Sequence, residues 1–329
     1  MRMIRAAIVG LGWWGQVLAK AIHGKSGKIA VIRGVTRTPS RAAAFSDETG
    51  IPVDADFEAL LTENTIDALI LATPHSQHVA QIEAAAAAGK HVFVEKPLAL
   101  TAEGAARAFD ACRAAGVVLA VGQNRRFLPA VADLKAMVGS GVLGRILHVE
   151  GNFSGPSGYR HKPGVWRATG AESPSGGMTG KGLHLTDLMI DMFGPPAEVD
   201  ARSFRQVLEI DMDDTTAMLI RFASGQTGYL GTLTATPADW RLQVYGSKGW
   251  AEIRRERFLT TATLDTGPET REFPETDIEF LELEAFADAI SGGAPFPVRR
   301  AQAVANVALL EAIGASAGAG GPVTIDLPE

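Results

Sequence analysis

The sequence holds one cysteine, Cys112, in 329 residues. That excludes a disulfide scaffold and a multi-cysteine zinc or iron–sulfur centre, and it fits a reducing compartment. No apolar run approaches the roughly 18–20 residues that a membrane-spanning helix needs. Positive charge is not in excess: the formal net charge is -6, which argues against a general nucleic-acid binder. With 46% hydrophobic and 21% charged residues, the balance is that of a globular chain, and disorder is excluded as its main state. Met1–Gly10 passes directly into a short apolar strand pattern and reads as no signal peptide. A soluble cytoplasmic protein of about two domains is expected, with no membrane, nucleic-acid or metal partner.

Acidic residues are missing from the whole stretch before Asp47, which carries Arg2, Arg5, Lys20, Lys25, Lys28, Arg33, Arg37 and Arg41. A basic start on an acidic protein suggests an anionic small ligand near the N-terminus, or simply a basic solvated surface.

The first half alternates short apolar strands with helices. Strand patterns fall at Ile4–Val9, Ile29–Val35, Ile66–Ala72, His91–Glu95 and Val117–Val121, and glycines 50, 89 and 116 close the helices between them. This rhythm predicts a parallel sheet covered on both faces. From Asn124 it changes. A long loop rich in Gly, Pro and Ser, Gly155–Gly177, precedes a helix at Leu183–Phe193. Six strand patterns between Glu198 and Leu264 then predict an antiparallel sheet, with helices again at Glu279–Ile290 and Arg300–Ala315 and a closing strand at Val323–Leu327. The fold class expected is α/β: a dinucleotide-type domain over 1–123, then an α+β domain over 124–329 with a large, mostly antiparallel sheet. Apolar character at Tyr229, Leu230, Thr232 and Leu233 suggests that an outer sheet face mediates a homo-oligomer.

Gly10-Leu11-Gly12-Trp13-Trp14-Gly15 matches G-x-G-x-x-G directly after a strand and at the opening of a helix. In that context the glycines allow a tight turn, close approach of a pyrophosphate and close helix–strand packing, while helix N–H groups face the phosphates. An NAD site expects Asp or Glu at the tip of the second strand; here the tip reads Val35-Thr36-Arg37-Thr38, with Arg41 one turn on. Thr36, Arg37 and Arg41 therefore favour the 2′-phosphate of NADP, the alternative being NAD bound without a carboxylate.

A later strand ends in Glu95-Lys96-Pro97. A lysine there points into the crevice where such folds bind ligands, although Glu95-Lys96 alone reads as well as a surface ion pair. His184 opens a helix, with Asp187 and Asp191 at i+3 and i+7; it reads equally as a packed histidine or as an acid/base group oriented by a carboxylate.

Four segments in order, Gly10–Gly15, Ala87-Ala88-Gly89-Lys90-His91-Val92-Phe93-Val94-Glu95-Lys96-Pro97, Val121-Gly122-Gln123-Asn124-Arg125-Arg126-Phe127 and Gly182-Leu183-His184-Leu185-Thr186-Asp187, with Ala285–Ile290 near the end, resemble the glucose–fructose oxidoreductase, inositol dehydrogenase and rhizopine-catabolism (Gfo/Idh/MocA) family. The resemblance implies an NAD(P)-dependent dehydrogenase or reductase acting on a secondary alcohol or carbonyl of a sugar, polyol or ring, assembled as a dimer or tetramer. It implies Lys96 as catalytic lysine and His184 as a catalytic or substrate-binding group. Thr73, Pro74, His75 and His78 would lie beside the pyrophosphate and nicotinamide ribose, Glu95 and Asn124 at the nicotinamide end, and Trp166-Arg167 in a loop that reaches the active site. The chain departs from the pattern at Gly180, where many members carry Asp four residues before the histidine, so the usual trio is incomplete. Lys181 stands beside the vacated position and could meet an anionic or bulkier substrate. Some relatives bind the dinucleotide as sensors, and others hold it tightly without net redox change; both remain alternatives.

Overall fold

In the computed structural model, residues 2–328 are described. The first half contains β1 (Ile4–Val9), α1 (Trp13–Ile22), β2 (Ile29–Val35), α2 (Ala43–Thr49), β3 (Val53–Asp54), α3 (Phe57–Thr62), β4 (Ala68–Leu71), α4 (His78–Ala87), β5 (His91–Glu95), α5 (Ala102–Ala114) and β6 (Leu119–Gly122). The strands form one parallel six-stranded sheet in the order β3-β2-β1-β4-β5-β6. Strands β4 and β6 are buried at every residue, as a sheet covered on both faces requires. The strand order reverses between β1 and β4, so their carboxyl ends flank the switch point where folds of this kind bind ligands.

The second half contains α6 (Pro129–Ser140), β7 (Ile146–Ser154), α7 (Leu183–Phe193), β8 (Pro196–Phe204), β9 (Thr215–Phe222), β10 (Thr227–Leu233), β11 (Asp239–Gly246), β12 (Gly249–Arg254), β13 (Phe258–Thr263), β14 (Glu269–Glu272), α8 (Ile278–Ile290), α9 (Arg300–Ala319) and β15 (Val323–Thr324). Nine strands form a sheet in the order β14-β13-β12-β11-β7-β10-β9-β8-β15, antiparallel except where β7 meets β10. Helix α7 lies close over β7 because Gly151 has no side chain: a Cβ there would meet Met189 at 3.0 Å and Leu185 at 3.1 Å. Helix α9 is tied to α7 by Asn306, which accepts from the Thr186 hydroxyl at 2.5 Å and donates to the Leu183 carbonyl at 3.0 Å.

The chain forms two compact units. The first runs to Ala99 and adds Glu103–Asn124 and Asp277–Arg300; the second holds Leu100–Ala102, Arg125–Thr276 and the chain from Ala301 on. A single cut at 123/124 would have left Asp277–Arg300 in the second domain. Its place in the first follows from packing: Leu283 and Phe286 of α8 are fully buried, and the Phe286 ring lies 5.9 Å from that of Phe93 on β5. Each such side chain stabilises by roughly 1.5–3 kcal/mol. Asp277 caps the helix, accepting from Phe280 N at 3.1 Å.

Several short elements escape the sequence pattern. Strand β3 has two residues, and β14, Glu-Thr-Arg-Glu, is exposed throughout and shows no alternation. Helix α3 has only six residues, started by the Asp56 cap. A π-helical turn, Met178–Gly182, precedes α7, and the closing strand stops at Thr324. On β10, Leu230 and Thr232 are fully buried, so of the residues expected on the outer face they are withdrawn, and Tyr229 remains exposed beside Leu219 of β9.

Candidate active site

The glycine turn has the crowding that its pattern requires. Gly10 has φ +96°, and a Cβ there would lie 2.5 Å from the Ala72 carbonyl oxygen; one on Gly15 would lie 2.0 Å from the Gly10 carbonyl oxygen. Gly12, the N-cap of α1, is different: a Cβ there meets nothing within 4 Å, so the backbone faces open space. No side chain caps α1, and its first N–H groups are left for a ligand. Leu11 is buried, with Gly34 making room for it, whereas Trp13 is exposed and its ring lies 5.3 Å from that of Trp14. The open backbone at Gly12 and the uncapped start of α1 fit the pyrophosphate of a dinucleotide.

At the tip of β2, Thr36 is half-buried while Arg37 and Arg41 are exposed and form no ion pair among the described residues. A carboxylate does lie nearby, although the sequence around the tip has none. Strand β3 sets Asp54 opposite Val35, and the Asp54 carbonyl accepts from Thr36 N at 3.0 Å. Its carboxylate is taken by Arg33, 3.2 Å away.

The turn after β5 presents Lys96, half-buried, and the Lys96–Pro97 peptide is cis. The Glu95 carboxylate turns back to accept from Lys96 N at 3.2 Å and packs against Gly122. His78 is fully buried, with Nδ1 2.8 Å from the Pro97 carbonyl oxygen and Nε2 3.1 Å from that of Thr73. The family resemblance places His78 beside the nicotinamide ribose; in this structure its buried ring holds the Lys96-Pro97 turn to the end of β4. Thr73 and His75 are buried as well; Thr73 donates to Gln81 at 2.6 Å, and the His75 and His78 rings lie 5.8 Å apart. Pro74 caps the short turn that carries His75. Asn124, expected at the nicotinamide end, is 2% exposed and donates from Nδ2 to Glu279 at 2.9 Å, a bond that ties the exit of β6 to α8.

In the second unit His184 sits on the first turn of α7, 6% exposed, its ring 6.1 Å from that of Phe153 on β7. Arg125 stacks over the other side of this neighbourhood, 5.3 Å from the Phe153 centroid, and donates to Glu256 at 2.9 Å. Glu256 and Arg255 both have positive φ in the turn joining β12 to β13. Arg125, Phe153, Arg255 and Glu256 line a cavity of about 920 Å³ with Ser154, Trp240 and Phe258.

Asp187 does not orient His184. Both its oxygens accept from Arg126, at 2.6 and 2.8 Å, and Arg126 also bonds Asp191 and Gln302, each at 3.1 Å. Burial pushes the Asp187 carboxyl up against the pull of the Arg126 guanidinium. Asp191 in turn holds Lys135 at 2.6 Å. The sequence assigns no role to Arg125 or Arg126; its available signal is two adjacent arginines after Asn124 at the end of a strand pattern.

Gly180 is exposed, and a Cβ there meets nothing within 4 Å. Lys181, next in the π-helical turn, donates to Ser157 Oγ at 2.6 Å and the Gly155 carbonyl at 3.4 Å. Burial, and then the nearby Arg160 charge, lower its pKa to about 8. In the same loop the Arg167 guanidinium lies 4.1 Å over the Trp166 ring. Among the described residues no cluster of three His, Cys, Asp or Glu is placed to hold a metal.

Residues 4–123 match the family model described as an oxidoreductase family with an NAD-binding Rossmann fold, and residues 131–252 match the GFO/IDH/MocA C-terminal domain. The chain belongs to the Gfo/Idh/MocA oxidoreductases. It is 30% identical over 305 residues to D-xylose 1-dehydrogenase (NADP(+)) 2 of Haloferax volcanii, covering 88% of this chain and 90% of that one. It is 28% identical to scyllo-inositol 2-dehydrogenase (NAD(+)) of Bacillus subtilis, covering 98% and 97%. A levoglucosan dehydrogenase solved with NADH and L-sorbose superposes with a TM-score of 0.89 over all of both chains, at 23% identity, which speaks to the fold alone. As a Gfo/Idh/MocA member the protein is an NAD(P)-dependent enzyme of the dehydrogenase and reductase class acting on CH–OH groups.

Proposed function

We propose that this protein interconverts a secondary alcohol and its carbonyl on a sugar-like or cyclic substrate, preferring NADP(H) to NAD(H). The observation that carries the reading is the pairing, on one parallel sheet, of a glycine turn that admits no side chain at Gly10 or Gly15 with a half-buried lysine, Lys96, at the carboxyl end of β5. The Haloferax and Bacillus relatives, named for xylose and scyllo-inositol, support a sugar- or polyol-sized substrate. When bound, the nicotinamide supplies or accepts the hydride.

The chain's own residues do the rest. The Gly10–Gly15 turn holds the pyrophosphate; Thr36, Arg37 and Arg41 receive a 2′-phosphate. Oxidation takes a hydride from carbon and a proton from oxygen. Lys96 shares that proton and steadies the alkoxide charge as it develops, and His184 passes the proton on. Trp166 and Arg167, stacked on one another, are assigned to cofactor binding through the family resemblance. Binding and orientation supply much of the acceleration.

The test is Lys96→Met. NADP affinity by fluorescence titration should be retained while turnover on a carbonyl and polyol panel falls roughly 10²–10⁴-fold. Unchanged kcat would remove Lys96 from the mechanism. Exposed Leu219 and Tyr229, register partners on the open face of the large sheet, further support a homo-oligomer; light scattering that gives 34.7 kDa at micromolar concentration would contradict it.

A further inference from the structure

We propose that the substrate carries a fixed negative charge, a carboxylate or phosphate on the sugar, and that the Lys181 ammonium receives it. This rests on the oxidoreductase reading above and adds the substrate's charge to it.

An ammonium has three N–H donors. Two of those on Lys181 go to neutral acceptors, the Ser157 hydroxyl and the Gly155 carbonyl, and the third has no acceptor among the described residues. No carboxylate is among the groups that act on it. Arg160 is near enough to oppose its charge, and Lys181 and Arg167 together act in the same way on His161. Between Gly155 and Lys181 the chain has Arg160, Lys162, Arg167 and Lys181 against the single acid Glu172. Arg160, Lys162 and Lys181 form no ion pair among the described residues, while Lys20, Lys25, Lys28 and Lys135 each hold a carboxylate.

A half-buried ammonium among positive neighbours costs free energy unless an anion joins it. Such an arrangement is useful where the anion arrives as ligand. The position agrees. Lys181 lies in the π-helical turn that feeds α7, three residues before His184, so both side chains leave the same end of the helix. Turns of this kind recur at functional sites. Beside it Gly180 keeps open space where a longer residue would stand. The charge of the substrate is thereby assigned to the segment from Gly155 to Lys181, and the proton chemistry stays with Lys96 and His184.

The experiment is calorimetry at low ionic strength on the full chain loaded with NADP, using D-glucose, D-glucuronate and D-glucose 6-phosphate as probes, for wild type, Lys181→Gln and Lys181→Arg. Cofactor affinity serves as the folding control. At least one acidic probe is expected to bind tenfold or more tightly than glucose. The preference should be lost in Lys181→Gln, partly kept in Lys181→Arg and weakened by salt. Which acid wins separates a carboxylate from a phosphate. If neither acid exceeds glucose, or if Lys181→Gln keeps the preference, the proposal is overturned. Acids that bind through Lys181 without any hydride transfer across a substrate panel would count against the redox reading and leave this one standing. Neutral sugars turned over with no acid preference would do the reverse.

Discussion

Arg126 grips Asp187 through both carboxylate oxygens, at 2.6 and 2.8 Å, with the two side chains 4% and 1% exposed. The pair fixes the rotation of α7 one turn beyond His184. By holding α7 it helps to set where His184 stands.

Breaking one partner of such a pair leaves a buried charge alone. Arg126→Met is expected to cost about 3–5 kcal/mol in urea unfolding. The double variant Arg126→Met/Asp187→Leu should recover much of that, because it removes both charges. If Arg126→Met costs less than about 1 kcal/mol, the scale of an exposed pair, the network does not hold α7.

The proposed NADP preference would turn on two residues of opposite sign at the β2 tip. Arg37 is exposed and unpaired among the described residues, while the Asp54 carboxylate is held by Arg33. Replacing Arg37 by Ala should weaken NADP by roughly 1.5–3 kcal/mol, the scale of a hydrogen bond to a charged group, and leave NAD nearly unchanged. Asp54→Ala should not weaken NADP, since that carboxylate only repels a 2′-phosphate. Fluorescence titration of both cofactors decides it. Equal or tighter NAD binding by wild type would overturn the preference.

The parallel sheet could be read from the sequence because its strands are short apolar runs, most of them next to a glycine. Every strand read there is present within a few residues. His91, in β5, accepts from Val118 N at 3.0 Å. What could not be read depends on contacts distant in sequence. Helix α8 belongs with the first unit through contacts such as Phe286 with Phe93 and Lys28 with Glu284, and Asp54 reaches the β2 tip through a two-residue strand. For the site, the spacing of His184 and Asp187 was correct as helix geometry and misleading as chemistry. Helical spacing says which side chains share a face; it is silent about an arginine arriving from another segment.

Acid stability offers a measurement on the first unit. Burial would raise the Asp67 pKa, but hydrogen bonds from the Arg5 side chain and backbone, and then Arg2, hold it at about 2. A carboxyl held below its unfolded value of about 3.9 contributes stability above that pH and loses it as pH falls through the folded value. Asp67→Asn is expected to cost about 1–2 kcal/mol at pH 7, discounted for the exposure of Arg2. Urea unfolding at pH 7, 5 and 3 should show the gap narrowing between the last two. A gap that stays constant would mean the carboxylate adds no more than its hydrogen-bond shape.

Gly180 can be given back a carboxylate. It is exposed, has room for a Cβ, and does not have a left-handed φ, so Gly180→Asp introduces no strain and should change stability by less than about 0.5 kcal/mol. The new charge would stand one residue before Lys181 and four before His184. It would act as counter-ion to Lys181, drawing its pKa up from about 8 and occupying the attraction otherwise available to a ligand. It would also offer a carboxylate acceptor to a polyol hydroxyl and repel an acidic sugar. The wild-type enzyme is accordingly expected to oxidise myo-inositol weakly or not at all, and Gly180→Asp to gain that activity while its affinity for D-glucuronate or D-glucose 6-phosphate falls at least tenfold. Steady-state kinetics on the polyol and calorimetry on the acids read the two effects separately. Should the variant bind the acids as well as wild type does, the space at Gly180 lies outside the substrate's reach and Lys181 acts there without competition.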